Sequence, residues 1–397
     1  MKRVDWTLNF FLCLLIMLWS TPAFATEEEP GSSVVNQLVR SQLNELQVEQ
    51  VDEFWKQLKS DYGQYLSEPQ GQNIFDLLLS PNKELSLKHV LMAFARYFFH
   101  EILYNGKLLG TIVILTVLSM LLRTLQTAFE QNQVSQVAYA IVFMVLIVLA
   151  ANSFHVAVDS AKTAIGRMID FMLALVPMML TLLVSMGNFG SVALFHPLIV
   201  FMIHMIGTFI YTVVFPLLFL SAILSIVSCL SEKYKLDHLA GLLRKISVSV
   251  LGGLLAIFLG VISIQGATAS IADGVTLRTA KYITGNFVPV VGRTISEAAD
   301  TVVGASLLVK NTIGLAGVLI LLFICAFPAL KILSLAFIYN FTAAVMQPLG
   351  NSPIIESLST IGRTLIYVFA ALATVGLMFF LAITIIVASG NVSVMMR

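Results

Sequence analysis

Charge-free apolar runs follow one another along most of this chain, and one mainly polar stretch precedes them. In residues 32–102, apolar side chains recur at helical spacing: Val35, Leu38, Val39, Leu43 and Leu46, then Val51, Phe54, Leu58, Tyr62 and Tyr65. Each set falls on one face of a helix, with Glu and Lys filling the others. Ser80-Pro81-Asn82-Lys83 reads as a helix start with proline in the first turn, leading into Leu91, Phe94, Phe98 and Phe99. Such helices form a small cap packed on itself, or present a docking face to a partner.

Beyond residue 102 the runs reach membrane length, for which about 20 apolar residues suffice. They are Leu108 to Leu122 between the anchors Lys107 and Arg123, Val137 to Val156, Phe171 to Leu230, Ile246 to Gly266, Asn311 to Leu330, Ile332 to Ile355 and Thr364 to Ser389. Phe171 to Leu230 is sixty residues without Asp, Glu, Lys or Arg, broken near Gly187-Asn188-Phe189-Gly190 and at Pro216. With two or three spans there, the expectation is an all-α polytopic protein of about eight spans. Three spans put Arg123, Lys233, Lys235, Arg244, Lys245 and Lys331 on the cytoplasmic side, as the positive-inside bias favours; two put 233–245 outside. Residues 232–245 also read as an amphipathic helix suited to a membrane surface, with Leu236, Leu239, Leu242 and Leu243 opposite the bases.

The N-terminus has the three-part layout of a secretory signal: basic Met1-Lys2-Arg3, the apolar core Phe10 to Trp19, and small residues at Ala23-Phe24-Ala25. Cleavage after Ala25 places residues 26–102 outside the cytoplasm, as a helical segment ahead of a membrane domain at 103–397. Composition agrees: 58% hydrophobic and 11% charged, against about 25% charged in soluble proteins, with mean hydropathy +0.91. The net charge of +1 offers no basic field for nucleic acid, so the extended partner is membrane lipid. Three cysteines, Cys13, Cys229 and Cys325, make no disulfide framework, and the residues before Cys13 lack the small side chain of a lipoprotein site.

An internal repeat emerges from the prolines. Val176-Pro177 and Phe215-Pro216 have the same thirty-nine-residue proline spacing as Val288-Pro289 and Phe327-Pro328. Asp237, Leu239 and Arg244 match Glu356, Leu358 and Arg363 at a slightly larger offset, so the copies run over about 137–245 and 246–363, with a last span at 364–389. Duplicated halves are a common plan for transporters and pores. Each proline removes a helical hydrogen bond, and a carbonyl freed in lipid needs protein or a water-filled cavity. The proline segments are therefore expected to be central rather than lipid-facing, with Pro177, Pro216, Pro289, Gly292 and Pro328 as structural or pore candidates. The second copy adds Arg293, Glu297 and Asp300, so that its segment lies at the surface or lines a cavity; cysteines placed at 286–300 would then react with a water-soluble thiol reagent. Re-entrant proline segments imply inverted repeats and crossing ones imply parallel repeats.

No nucleotide loop, zinc-protease motif or serine elbow is present, and no cofactor site is expected. His196 and His204 share a helix face without further ligands and read as structural. Ala256 and Gly260 are expected to serve close helix packing. The absence of paired catalytic groups speaks against an intramembrane enzyme.

Residues 283–318 carry a family resemblance: Phe287-Val288-Pro289-Val290-Val291-Gly292, then Thr301-Val302-Val303-Gly304-Ala305-Ser306-Leu307-Leu308-Val309-Lys310-Asn311, Gly314 and Gly317. With the leader and the layout, the chain resembles the stage III sporulation protein AE family of endospore-forming bacteria. The resemblance implies a non-enzymatic subunit, in the mother-cell membrane around the engulfed forespore, of a trans-envelope, secretion-like channel linked to forespore integrity and late forespore gene expression. It implies as partners the other products of the stage III A sporulation operon and a forespore-made Q protein, with the N-terminal segment in the intermembrane space. The alternative function is a secondary transporter for a small metabolite, favoured by the repeat and the broken helices.

Overall fold

The computed structural model describes residues 48–66, 87–128, 133–230, 235–287, 291–349 and 353–395, with a few positions before 48 and at 74–75; the side chains of 87, 123, 125–136, 191, 194, 230, 265–300 and 392–395 are outside that description. Among the described residues every regular element is helical. The helices are α1 (Val48–Tyr62), α2 (Leu87–Tyr104), α3 (Gly106–Ala128), α4 (Gln133–Ser185), α5 (Phe189–Phe209), α6 (Phe215–Leu230), α7 (Asp237–Phe287), α8 (Val291–Met346) and α9 (Pro353–Met395). The proposed signal peptide, the Ser80-Pro81 helix start and Pro289 lie outside the described residues.

Two of these helices run through polar breaks that the sequence pattern reads as loops. α4 joins the runs Val137–Val156 and Phe171–Ser185 across Asp159, Lys162, Arg167 and Asp170. Isolated charges on a helix surface do not end it, and no glycine or proline pair intervenes there. Its 53 residues extend about 80 Å at ~1.5 Å per residue, far beyond the ~30 Å of bilayer hydrocarbon. The two halves have different surroundings. Val137, Ile141, Met144 and Val148 are exposed, as lipid-facing side chains would be, whereas Phe171, Met172, Leu175 and Val176 are completely enclosed by protein. α8 likewise carries Lys331 without interruption. Among the described residues, five helices are therefore long and apolar enough to cross a membrane: Val137–Ser185, Phe195–Cys229, Asp237–Ile264, Thr301–Met346 and Pro353–Asn391. A sixth arises if Lys88–Tyr104 and Gly106–Leu122, bent by 47° at Asn105, form one broken span. The number falls short of the expected eight because neighbouring apolar runs merge.

α4 ends where the glycine pattern predicts. Gly187 has φ 84°, the Gly187 amide donates to the Val184 carbonyl (2.8 Å), and the Asn188 amide donates to the Leu183 carbonyl (2.9 Å). This pair of bonds satisfies carbonyls left over at the helix end and needs a left-handed residue at 187. α5 and α6 are joined without a loop by the π-helical turn Ile210–Val214, which sits immediately before Phe215-Pro216. The wider turn accommodates a residue with no N–H to donate.

The body of the protein is the mutual packing of α4, α8 and α9, with α6 and α7 against α9. Its closest approaches use glycine. A Cβ on Gly317 would lie 2.6 Å from Leu175 Cδ2, one on Gly376 2.7 Å from Cys325 Sγ, and one on Gly362 2.6 Å from Asn340 Oδ1. Ala256 and Gly260 do not serve this purpose: both are exposed, and Gly260 has open space around it. α7 packs through Leu251, Leu254, Phe258 and Ile262, which leaves 256 and 260 on its outer face. The 232–245 stretch also differs from expectation, because residues from Asp237 on begin the span itself. Leu239 and Leu242 are exposed, while Arg244 turns inward to Ser225 Oγ (3.3 Å) and the Tyr367 ring (5.4 Å to its centroid).

Candidate functional site

α1 is the predicted amphipathic helix, with Val51, Trp55 and Leu58 buried along one stripe at helical spacing. That stripe does not close into a self-packed cap. It lies against α4 and α8. A single helix of four turns cannot cover its own aromatic face, so the face is covered by the membrane body. Phe54 meets Phe171 edge-on at 5.3 Å, Trp55 meets Phe323 at 6.1 Å, and Tyr62 stacks on Phe327 at 4.0 Å. α2 adds Phe94 and Tyr97 against the same Phe327, at 5.6 Å and 5.1 Å. Contacts of this geometry contribute about 0.5–1.5 kcal/mol each beyond burial. At the end of α1, Arg167 Nη1 donates to Asp61 Oδ2 at 2.8 Å. The pair is partly exposed, so it orients the helix more than it holds it. Burial, then the neighbouring Asp61 carboxylate, push the Tyr62 phenol up, keeping it a proton donor.

Below this end of α1 is a cavity of about 200 Å³. Asp61 and Tyr62 form one wall, Asp159 and Arg167 of α4 a second, and Pro328 and Lys331 of α8 a third. Two acids and two bases thus meet at the seam of the two longest helices. A second cavity, apolar and beside Ile226 and Ile361, has only about 10 Å³, barely room for one water.

Of the structural or pore candidates named from the sequence, Pro328 alone among those with described side chains reaches this cavity, beside Leu58, Tyr62 and Lys331, which the sequence marked for other reasons. Pro177 and Pro216 are exposed on the outer surfaces of α4 and α6, contrary to the expectation that all the proline segments are central. Phe215-Pro216 follows directly on the π turn, and α4 continues past Pro177 to Ser185 without a break. Gly292, Arg293, Glu297 and Asp300 fall in the first turns of α8, with side chains outside the described set. His196 and His204 are exposed, His204 Nδ1 lies 3.0 Å from the Val200 carbonyl, and no cluster of metal ligands occurs among the described residues.

Sequence reasoning missed the lysines of α8. Lys310 is completely buried, and its ammonium donates to the Val387 carbonyl (2.8 Å) and to Asn391 Oδ1 (2.9 Å) of α9. Gly390 faces it; a Cβ there would collide with the Lys310 ammonium. Nothing local links position 310 to 387–391. Lys331 was legible only as a basic residue between two runs, yet it belongs inside a span and on the cavity.

Comparison with known proteins gives one consistent result. The family model described as Stage III sporulation protein AE matches residues 70–390. A Bacillus subtilis (strain 168) protein, stage III sporulation protein AE, is 49% identical over 402 residues, covering 100% of both chains. No solved structure matches.

Proposed function

The chain belongs to the stage III sporulation protein AE family, and on that premise we propose that it is the membrane subunit of a trans-envelope channel between mother cell and forespore. Its sporulation role and its apolar helices follow from the family and the fold. In the fuller reading, the signal peptide is removed after Ala25 and the polar N-terminal segment occupies the intermembrane space. There it meets the forespore-made Q protein and other products of the stage III A operon, during engulfment of the forespore. The protein is non-enzymatic and serves forespore development and late forespore gene expression.

The observation that carries this reading is the charged cavity at the α4–α8 seam. Charged side chains gathered in a half-open cavity on an otherwise apolar body are what a conduit or gate would use. The segment proposed to face the other membrane ends on that cavity through Asp61 and Tyr62, so a partner that pulls on it would act on the passage directly. The duplication belongs to the same reading: Pro216 and a helix start at Asp237 in one copy parallel Pro328 and a helix start at Pro353 in the other. On this reading Gly292, Arg293, Glu297 and Asp300 remain candidates for a polar lining in the second copy.

Reconstitution separates this from a self-sufficient transporter. Purified chain alone in liposomes is expected to give no uptake of small metabolites driven by an ion gradient, and flux should appear only with its operon partners. Gradient-driven uptake by the chain alone would overturn the channel-subunit reading.

A further inference from the structure

The apolar helix Thr301–Met346 contains two lysines, and the protein treats them differently. Lys310 has its ammonium tied to a carbonyl and an amide oxygen of α9. The half-buried Lys331 lines the cavity with no hydrogen-bond or ion-pair partner for its ammonium among the described residues. An ionisable group retained inside an apolar helix and aimed at a cavity marks a place where something polar binds. Asp159, exposed at the α4 rim of the cavity, has no ion-pair partner among the described residues. The other two charges, Asp61 and Arg167, are taken up by each other at 2.8 Å.

The cavity wall also offers neutral groups sorted in the same sense. Pro328 has no N–H for the Ile324 carbonyl one turn earlier, and both residues line the cavity, so an acceptor is freed there. Ser160 and Thr163 add hydroxyls. A simple cation would meet Asp159 and the carbonyl but leave Lys331 facing like charge; a simple anion would leave Asp159 in the same position. A ligand with both charges satisfies both walls. The volume, about 200 Å³, is below the ~300–1,000 Å³ of sites for drug-sized molecules. We propose that this cavity is a binding site for an amino-acid-sized zwitterion, its ammonium toward Asp159 and the Ile324 carbonyl and its carboxylate toward Lys331. The proposal rests on the same cavity as the channel reading, but the two fail separately, since binding is read by retention and the channel by flux with the operon partners.

Equilibrium dialysis of the purified full chain in nanodiscs against a radiolabelled mixture of free amino acids tests it, with methylamine and acetate as separate probes. Retention of at least one amino acid, unaffected by excess methylamine or acetate, is expected. Lys331→Gln and Asp159→Asn should each weaken it at least about tenfold, and Lys331→Arg should keep most of it. No retention by the wild-type chain overturns the proposal, whatever the variants do, as do equal binding of methylamine or acetate and unchanged binding in both charge-removing variants. The wild-type measurement decides the matter even if a variant fails to fold.

Discussion

Trp55→Ala is expected to release α1 from the membrane body at a cost of about 3–5 kcal/mol, the usual range for deleting a large core aromatic. Trp55 is 2% exposed and packs on Phe323 of α8, with the Lys59 ammonium 5.1 Å from its ring centroid. One effect pulls the other way. The Trp55 indole N–H is buried with no hydrogen-bond partner, so truncation also removes an unsatisfied donor that itself costs ~1–3 kcal/mol. The lower end of the range therefore applies, equivalent to a local opening constant raised roughly 100-fold, since ~1.4 kcal/mol is a factor of ten. Hydrogen exchange of the 48–62 amides in nanodiscs reads this directly. They should exchange about 100-fold faster in the variant, while those of α9 keep wild-type protection. Unchanged exchange at 48–62 would mean that α1 is held by something other than its aromatic face. Gln57→Ala, at an exposed position on the same helix, should stay within ~0.5 kcal/mol of wild type.

The second large effect is expected at Gly376, where α9 approaches α8. A Cβ there would lie 2.7 Å from Cys325 Sγ and 3.4 Å from Cys325 Cβ. A long side chain could swing its end aside, but cysteine has one rotatable bond, and the Cys325 thiol is directed at the Leu372 carbonyl (3.9 Å). Gly376→Ala should therefore cost about 1–3 kcal/mol as overpacking, and Gly376→Leu more. The assignment to this contact has its own check. In a double-mutant cycle, Cys325→Ala removes the sulfur that the new methyl meets, so Gly376→Ala should be much less harmful in that background. Thermal unfolding of the four proteins measures the coupling. Additive losses would place the strain elsewhere. Gly317 against Leu175 is a softer case, because Leu175 can change rotamer.

The features that could be read from the sequence are those set by local rules. The α1 stripe, the end of α4 at Gly187 and the apolar runs all depend on residues within a turn or two of each other. What could not be read depends on which helix lies opposite. Residues 157–170 look like a loop because they are charged, yet Asp159, Lys162, Arg167 and Asp170 sit on the exposed side of a continuous helix whose other side is packed. Ala256 and Gly260 have the composition of a close helix contact but face outward, whereas Gly376 and Gly390 lie against Cys325 and Lys310. The prolines show the same division. Their bond-breaking effect is local and was legible; whether the freed carbonyl faces lipid or a cavity is a tertiary matter, and it favours Pro328 over Pro177 and Pro216. The N-terminal segment was legible as amphipathic, but its partner surface, Phe323 and Phe327, lies more than two hundred residues away along the chain.

The central claim is that the apolar body bears a half-open, water-accessible polar cavity at the α4–α8 seam. Single cysteines at Thr163 and Lys331, on the cavity wall, and at Leu175 and Ile320, enclosed within the same two helices, can be compared in a chain whose Cys13, Cys229 and Cys325 are replaced by alanine. With a membrane-impermeant maleimide applied to open membrane fragments, positions 163 and 331 should label fully while 175 and 320 stay protected. If 163 and 331 are as protected as 175 and 320, the seam is dry and the account is wrong.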